Sequence, residues 1–276
     1  MIECMDLWRS TPLDALSALT EERADLLDFI AGLNDAEWHQ ASTAPGWSVK
    51  DLALHLLDDD LGWLSRGRDG DRSGRRDVRD HATFVDALAV KNQRWIDGTQ
   101  QLSRPVVVGL LQWAGDQMDA YYASIDPMSD GWVTWASDAP VPQWFDIAQD
   151  LTERWVHQQQ MRQAVGKIGP YCDKYLPLIL QTFVCAVPHQ YRVLAPLGTT
   201  LALDLSQGGR WSIRSDGDGR WALDQADAPD ADLRVTFNDE GGWRWLTGAV
   251  VPDGGIVAEG DPVLLPPLLA VRGILA

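Results

Sequence analysis

The sequence predicts a two-domain α plus α/β protein, with an N-terminal four-helix bundle over residues 1–168 and a small α+β domain over residues 169–276. The chain has 276 residues, which is more than one ordinary domain needs. In its first part, apolar residues recur at spacings of three and four, which is typical of amphipathic helices. After "GKIGPYC", apolar and polar residues alternate between glycine-containing turns, and this pattern favours strands.

The first two long helices are predicted from their N-terminal caps. Thr11 precedes Pro12, a cap residue followed by proline at the first helical position, and leucines then follow at helical spacing. Ser48 and Asp51 form the S-x-x-D pattern of a capping box at the start of "SVKDLALHLLDDDLGWLS". Residues 67–80 are polar and contain several glycines, which predicts a loop after this second helix.

Three further helices complete the predicted bundle. A shorter helix is expected over residues 84–97, and long helices are expected over residues 105–126 and 142–166. Gly166 is the expected C-cap of the last one. Four long helices and one short helix are consistent with an antiparallel bundle.

The second domain is predicted to mix helices and strands. A helix over residues 174–187 comes first, and strands follow in the alternating segment 199–225 and in "ADLRVTF". Next, "DEGGWRWLTGA" predicts a short helix, "GGIVAEG" a strand and "DPVLLPPLLAVRGILA" a closing helix. A length of about 100 residues is normal for such a domain.

Composition and charge restrict the classes of function. A hydrophobic content of 45% is typical of globular proteins with a core. A formal net charge of −17 disfavours binding to nucleic acid or to anionic membranes. The first residues lack the pattern of a signal peptide, and no apolar run reaches the roughly 20 residues that span a bilayer. These features predict a soluble, cytoplasmic protein.

Cysteine usage argues against several kinds of site. The three cysteines, Cys4, Cys172 and Cys185, form no CxxC pair, which disfavours a disulfide framework or a cysteine zinc cluster. Cys185 lies in an apolar helix and is expected to behave as a small hydrophobe. No cysteine of the chain is expected to act as a nucleophile.

His55 is the first candidate for a functional residue. Projection of residues 48–66 onto a helix places it at the edge of a broad apolar arc. Alone, a histidine in such a place is more often structural than a ligand. The run that follows it is unusual, because Asp60 falls inside the apolar arc, where a bundle helix should carry an apolar side chain.

A second candidate lies about a hundred residues downstream. Glu153 and His157 are spaced i, i+4 in "DLTERWVHQQQ", so that both side chains can reach one point on the same helical face. Asp146 and Asp150 continue this stripe. The alternative interpretation is a solvated acidic face with an incidental Glu–His pair. Two histidines and one carboxylate together, however, are typical of a catalytic zinc site with one coordination position open.

The motifs around these residues resemble those of a known family. "APGWSVKDLALHL", followed by "ERWVHQQQMRQAVG", is similar to the mycothiol-dependent maleylpyruvate isomerase family. The resemblance implies a DinB-like metal-binding four-helix bundle joined to a sterol-carrier-like C-terminal domain. It also implies that His55, Glu153 and His157 are the catalytic residues and bind a divalent metal, usually zinc, with mycothiol as the thiol cosubstrate.

Other residues receive roles from this comparison or from their positions. Many relatives read "QQDIR" after the last histidine, whereas this chain has Gln159, Gln160, Met161 and Arg162, and therefore no acidic residue there. Arg162 is a candidate for binding a substrate carboxylate. Three further sets of candidates are predicted from position: Arg272 for the thiol cofactor, Asp59 or Asp51 to orient His55, and Trp47 or Trp155 to line the metal site.

These interpretations predict a metal-dependent, mycothiol-dependent isomerase or thiol S-transferase that acts on a small electrophile. A bound divalent cation would lower the pKa of a thiol, and the resulting thiolate would add to a conjugated double bond. The expected partners are a small-molecule electrophile and a low-molecular-weight thiol, with no nucleic acid and no membrane, for a monomer or homodimer. Two alternatives remain: a non-catalytic carrier of a small ligand, and a hydrolase that uses metal-bound water.

Overall fold

The computed structural model describes residues 7–73, 81–133, 136–137, 139–167 and 171–273. Contacts within it define two compact units. The helical unit comprises Leu16–Ile125 and Arg154–Ile168, and the sheet unit comprises Met1–Ala15, Asp126–Glu153 and Gly169–Ala276. The predicted domain boundary, between residues 168 and 169, lies outside the described residues and stays a prediction.

The first half of the chain folds into helices, as the spacing of its apolar residues predicts. The second long helix continues beyond its α-helical part as a π-helical turn over Leu64–Arg68. No helix among the described residues is long and apolar enough to cross a membrane. The helices are α1 (Ala15–Ala31), α2 (Asp35–Trp38), α3 (Val49–Trp63), α4 (His81–Thr99), α5 (Arg104–Ser124) and α6 (Gln143–Ala164).

Two predicted helix ends are confirmed in atomic detail. The Ser48 hydroxyl accepts from the backbone N–H of Asp51, and the Asp51 carboxylate accepts from the backbone N–H of Ser48 at 2.8 Å, which completes a capping box. At the end of α6, Gly166 has a φ of +67°, and the N–H of Lys167 donates to the carbonyl of Arg162 at 2.9 Å. Only glycine adopts this left-handed conformation at little cost, so Gly166 ends the helix.

The first predicted cap is wrong. Helix α1 begins at Ala15, and residues 11–14 are not helical. Leu13 forms a tight turn instead, in which the N–H of Ala15 donates to its carbonyl at 2.8 Å. Its side chain packs against the apolar cluster of Val141, Trp144 and Phe145. A cap signal is local, and this packing between distant parts of the chain overrides it.

Three other expectations also need correction. Helix α4 has 19 residues and is not short. Two short strands, β1 (Asp130–Val133) and β2 (Pro140–Pro142), pair antiparallel, although no strand is predicted there. Both are shorter than the usual strand, and the prolines in β2 are unfavourable for a strand, so the sequence does not indicate strands there. Within the described part of the predicted closing helix, residues 261–273, only Leu265–Leu269 is helical, and this segment contains two prolines.

The core of the helical unit surrounds α3, which packs against α4 and α5. Most side chains of α3 are buried, including Leu52, Leu56 and Leu57. They pack with Leu26 and Ile30 of α1 and with apolar residues of α5 and α6. Helix α3 is therefore surrounded by other helices on most of its circumference, which explains why its apolar arc is so broad.

The sheet unit contains a five-stranded sheet, as the alternating pattern predicts. The strand order is β5-β4-β3-β6-β7, in which β3 and β6 are parallel and the other neighbours are antiparallel. Helices α7 and α9 pack against each other. The elements are α7 (Tyr171–Val184), α8 (Val187–Gln190), β3 (Thr200–Leu205), β4 (Gly209–Ser215), β5 (Trp221–Asp224), β6 (Leu233–Phe237), α9 (Asp239–Thr247), β7 (Ile256–Gly260) and α10 (Leu265–Leu269).

Candidate metal centre

Helices α3 and α6 bring three potential metal ligands together. One ligand atom from each of His55, Glu153 and His157 lies within 4.8 Å of the other two. The rings of the two histidines meet edge to face, with centroids 4.9 Å apart. His55 and His157 are only 5% and 3% exposed, and Glu153 is half-buried. The residues that the sequence analysis selects therefore converge on one point.

Both histidines have polar neighbours on their own helices. The Nε2 atom of His55 lies 3.3 Å from Oδ2 of Asp59, one turn further along α3. The Nδ1 atom of His157 lies 2.7 Å from Oε1 of Gln160 on α6. Asp51 is engaged elsewhere, because it caps α3 and accepts from the side-chain amide of Gln100 at 2.7 Å. Of the two aspartates predicted to orient His55, only Asp59 is in position.

Trp47 lies against both histidines. Its ring centroid is 5.1 Å from that of His55 and 6.5 Å from that of His157. The indole N–H donates to Oε1 of Gln93 on α4 at 3.3 Å, which helps to fix the ring. Trp155, the other aromatic candidate, is fully buried in α6. The expectation that Trp47 lines the site is consistent with these contacts.

The donor set fits a divalent metal. Two imidazoles and one carboxylate are the ligands of many catalytic zinc sites, in which one position stays open. The ligand atoms of one tetrahedral zinc ion lie about 2.0–2.2 Å from it, and hence roughly 3.3–3.6 Å from each other. The three donor atoms, within 4.8 Å of one another, would move closer together when all three bind one ion.

Arg162 and Arg272 both have partners within the protein. Arg162 is buried, donates to Oε1 of Gln158 at 3.2 Å and lies over the ring of Phe29 at 4.2 Å. In the sheet unit, Arg272 donates to backbone carbonyls, including that of Leu269 at 2.9 Å. The binding roles of both arginines stay predictions that these contacts do not support.

The acidic stripe of α6 is buried, so the alternative of a solvated face is wrong for its first two members. Asp146 and Asp150 are 4% and 7% exposed. The backbone N–H of Trp132 in β1 donates to Oδ2 of Asp146 at 2.8 Å. A Cβ atom at Gly131 would lie 2.2 Å from the same oxygen, which explains the glycine. Burial raises the pKa of Asp146 to about 7, although the Trp132 bond opposes this.

The raised pKa of Asp146 predicts a pH-dependent stability. The unfolded chain ionises this carboxyl near its ordinary pKa of 3.8, whereas the folded chain keeps the proton up to about pH 7. The free energy of unfolding should therefore fall by up to about 1.4 kcal/mol per pH unit between these values, because the folded state binds more protons. Urea denaturation of the wild type and of Asp146→Asn should show the variant gaining in relative stability from pH 4 to pH 7.

The exposed residue Asp230 offers a control for this measurement, as Asp230→Asn. That variant should differ from the wild type by nearly the same small amount at every pH. If the free energies of unfolding of Asp146→Asn and the wild type differed by a constant amount from pH 4 to pH 7, the assignment of the raised pKa would be contradicted.

Asp60 has partners that the sequence does not suggest. It is 1% exposed, and its carboxylate accepts two hydrogen bonds from Arg23 of α1, both at 3.0 Å, and one from Arg154 of α6 at 2.9 Å. The Arg154 Nε atom also lies 3.6 Å from the buried carboxylate of Glu22. Asp60 thus joins α1, α3 and α6. We call Glu22, Arg23, Asp60 and Arg154 the buried charge cluster.

Other acidic and histidine side chains lie outside the candidate metal ligands. Asp58 is buried and forms an ion pair with Lys91 of α4. His39 is exposed, and His189 contacts the guanidinium of Arg192. The side chain of His81 lies outside the described residues.

Sequence and structure comparisons both identify relatives. Residues 19–162, just over half of the chain, match the model of the mycothiol maleylpyruvate isomerase N-terminal domain. No curated protein matches the sequence. A crystal structure of the mycothiol-dependent maleylpyruvate isomerase is similar in fold, with a TM-score of 0.55 and 13% identity over 93% of this chain and 97% of that chain. A histidine-to-alanine mutant of that isomerase gives a TM-score of 0.57, with the same identity and coverage. The chain belongs to the mycothiol maleylpyruvate isomerase family.

Proposed function

We propose that this protein is a metal-dependent, mycothiol-dependent isomerase or thiol S-transferase that acts on a small electrophile. The observation that carries the proposal is the convergence of His55, Glu153 and His157 in a member of this family. The similar solved structures bear the name of an isomerase that depends on mycothiol. We further propose zinc as the metal, since two histidines and one carboxylate suit it.

The proposal extends to the architecture. We assign residues 1–168 to a DinB-like four-helix bundle and residues 169–276 to a sterol-carrier-like domain. The helices of the helical unit and the mixed sheet of the sheet unit support this assignment. In such a bundle, side chains of facing helices build metal sites, as His55 of α3 and His157 of α6 do here.

Each residue of the proposed site has a distinct task. A divalent cation held there would lower the pKa of a coordinated thiol, and the thiolate is the nucleophilic form. His55, Glu153 and His157 would hold the cation, and Asp59 orients the His55 ring. The Trp47 ring lies beside both imidazoles, where it forms part of the wall of the site. The chain provides the geometry, and the cosubstrate provides the nucleophile.

The chemistry at the substrate needs no other reactant in the isomerase version. A thiolate that adds to one carbon of a conjugated double bond leaves a single bond, about which the molecule can rotate. The electron pair displaced by the addition moves onto the conjugated group. When this pair returns and expels the same thiolate, the double bond forms again with the other geometry. In the transferase version the adduct instead takes up the proton that the thiol lost and is released as a thiol conjugate.

The decisive experiment measures whether turnover needs both metal and thiol. Purified protein is analysed for metal, treated with a chelator, and assayed with maleylpyruvate and mycothiol before and after zinc is added back. We expect bound metal, turnover only with both components, and recovery with zinc. Turnover that persists without any thiol would indicate a hydrolase. Protein that holds no metal and binds its small ligand equally well after His55→Ala would indicate a carrier.

A further inference from the structure

The hydrogen bond between Gln160 and His157 has a consequence for metal binding. Gln160 lies three residues after His157 on α6, is 8% exposed, and places Oε1 2.7 Å from Nδ1 of His157. With Oε1 of Gln160 as the acceptor in this contact, Nδ1 of His157 is the donor and carries the hydrogen. In a neutral imidazole with the proton on Nδ1, the Nε2 atom has the lone pair that a metal needs.

We propose that Gln160 is a positioning residue that holds His157 in the Nδ1–H tautomer, so that Nε2 is the metal ligand. This inference rests on the proposed metal site. The partners of ligating histidines commonly fix both the tautomer and the orientation of the ring. Gln160 is well suited to this task, because its short, buried hydrogen bond lies on the same rigid helix as Glu153 and His157.

The two histidines thereby have partners of different charge. Asp59 beside His55 is an acidic residue, whereas Gln160 beside His157 is a neutral amide. Glu153 and Asp59 already place two acidic side chains at the site. A neutral acceptor at position 160 orients the second imidazole without a further negative charge in a buried place, where unpaired charges are costly.

The proposal is tested by measuring zinc affinity. The measurement uses the full-length, metal-free protein and competition with a chelator. Gln160→Met keeps nearly the same volume but removes the carbonyl acceptor, and it should weaken zinc binding by about 10- to 100-fold. Gln160→Glu restores an acceptor and should bind zinc within about threefold of the wild type, or more tightly. Gln159→Met is the control, because Gln159 is also buried and is adjacent to Gln160. The zinc affinity of this variant should stay within about twofold of that of the wild type.

The tautomer itself provides a second readout that does not depend on zinc. Long-range ¹H–¹⁵N spectra of metal-free wild type should show the Nδ1–H tautomer for the ring whose signals disappear in His157→Gln. In Gln160→Met the Nε2–H tautomer should become populated. A wild-type ring protonated on Nε2 would overturn the proposal, even if the Met variant failed to fold.

The outcomes separate this inference from the proposed function. Wild type that binds no zinc, but has the Nδ1–H tautomer, would contradict the proposed metal site and leave the role of Gln160 in fixing the ring supported. Zinc binding by Gln160→Met as tight as that of the wild type would overturn the role of Gln160 alone. Equal losses in the Met and Glu variants would also overturn it, since the acceptor would then not matter.

Discussion

Replacement of His157 by alanine is expected to weaken zinc binding by roughly 10³-fold or more, because a site with three protein ligands keeps only two. Thiol-dependent turnover should fall to background. Since His157 is buried against Trp47 and His55, alanine would also leave a small cavity. His157→Gln, which retains more of the volume, should therefore lose the metal to a similar extent while the fold is preserved. Metal analysis, chelator competition and thermal unfolding of each variant provide the measurements.

His39→Ala is the matched control for this change. It also removes a histidine, but His39 is exposed and is not part of the cluster of His55, Glu153 and His157. It should bind zinc as the wild type does. Retention of full affinity in both His157 variants, with normal unfolding curves, would exclude the proposed site.

Replacement of Asp60 by alanine is expected to lower the free energy of unfolding by about 3–5 kcal/mol. The change leaves the buried guanidinium groups of Arg23 and Arg154 without the carboxylate that accepts their hydrogen bonds. Breaking a buried ion pair on one side is costly, because the remaining charge loses its nearest partner in a place without water. Glu22, 3.6 Å from Arg154, and Asp119, 3.5 Å from Arg23, compensate the two guanidinium charges only in part. Urea denaturation of the metal-free protein would measure the loss directly.

Two comparisons identify the physical cause of this loss. Asp116→Ala removes an exposed carboxylate of α5 and should change the free energy of unfolding by no more than about 0.5 kcal/mol. A variant in which all four residues of the buried charge cluster are replaced, as Glu22→Met, Arg23→Met, Asp60→Leu and Arg154→Met, should recover most of the stability, since apolar side chains of similar volume often replace buried ionic groups well. If this quadruple variant were less stable than Asp60→Ala, the loss would not come from uncompensated charge.

The candidate site was largely predictable from the sequence, because its signal is local. Glu153 and His157 are four residues apart, and a helix places such residues on one face whatever surrounds it. His55 alone is ambiguous, and its assignment depends on the motif similarity. The closeness of Gln160 to His157 is also predictable, since residues three apart on a helix are neighbours. The sequence alone, however, does not distinguish a hydrogen-bonded glutamine from a solvated one.

The buried charge cluster could not be predicted in this way. Asp60 is visible in the sequence as an aspartate inside an apolar arc, yet its partners lie 37 and 94 residues away in the chain. Pattern analysis identifies the anomaly but not the partners. The burial of Arg162 and Asp146 was missed for the same reason, because tertiary packing rather than composition determines which charged side chains lose contact with water.

Among the elements, length and periodicity determined what could be predicted. Long helices such as α5 and α6 carry several turns of apolar spacing, and their existence was predicted correctly. The strands β1 and β2 have four and three residues, which is too short for a reliable alternation. The start of α1 depends on how Leu13 packs, which no local pattern contains.

Helix α6 carries residues of both the proposed metal site and the buried charge cluster, and this has a consequence for changes in chain length. Arg154 follows Glu153 directly and precedes His157 by three residues, so their directions around the helix axis are fixed relative to each other. One residue inserted between Arg154 and His157 would rotate everything beyond it by about 100°. Either the ligand or the arginine would then face the wrong way. This segment should therefore accept no single insertion or deletion.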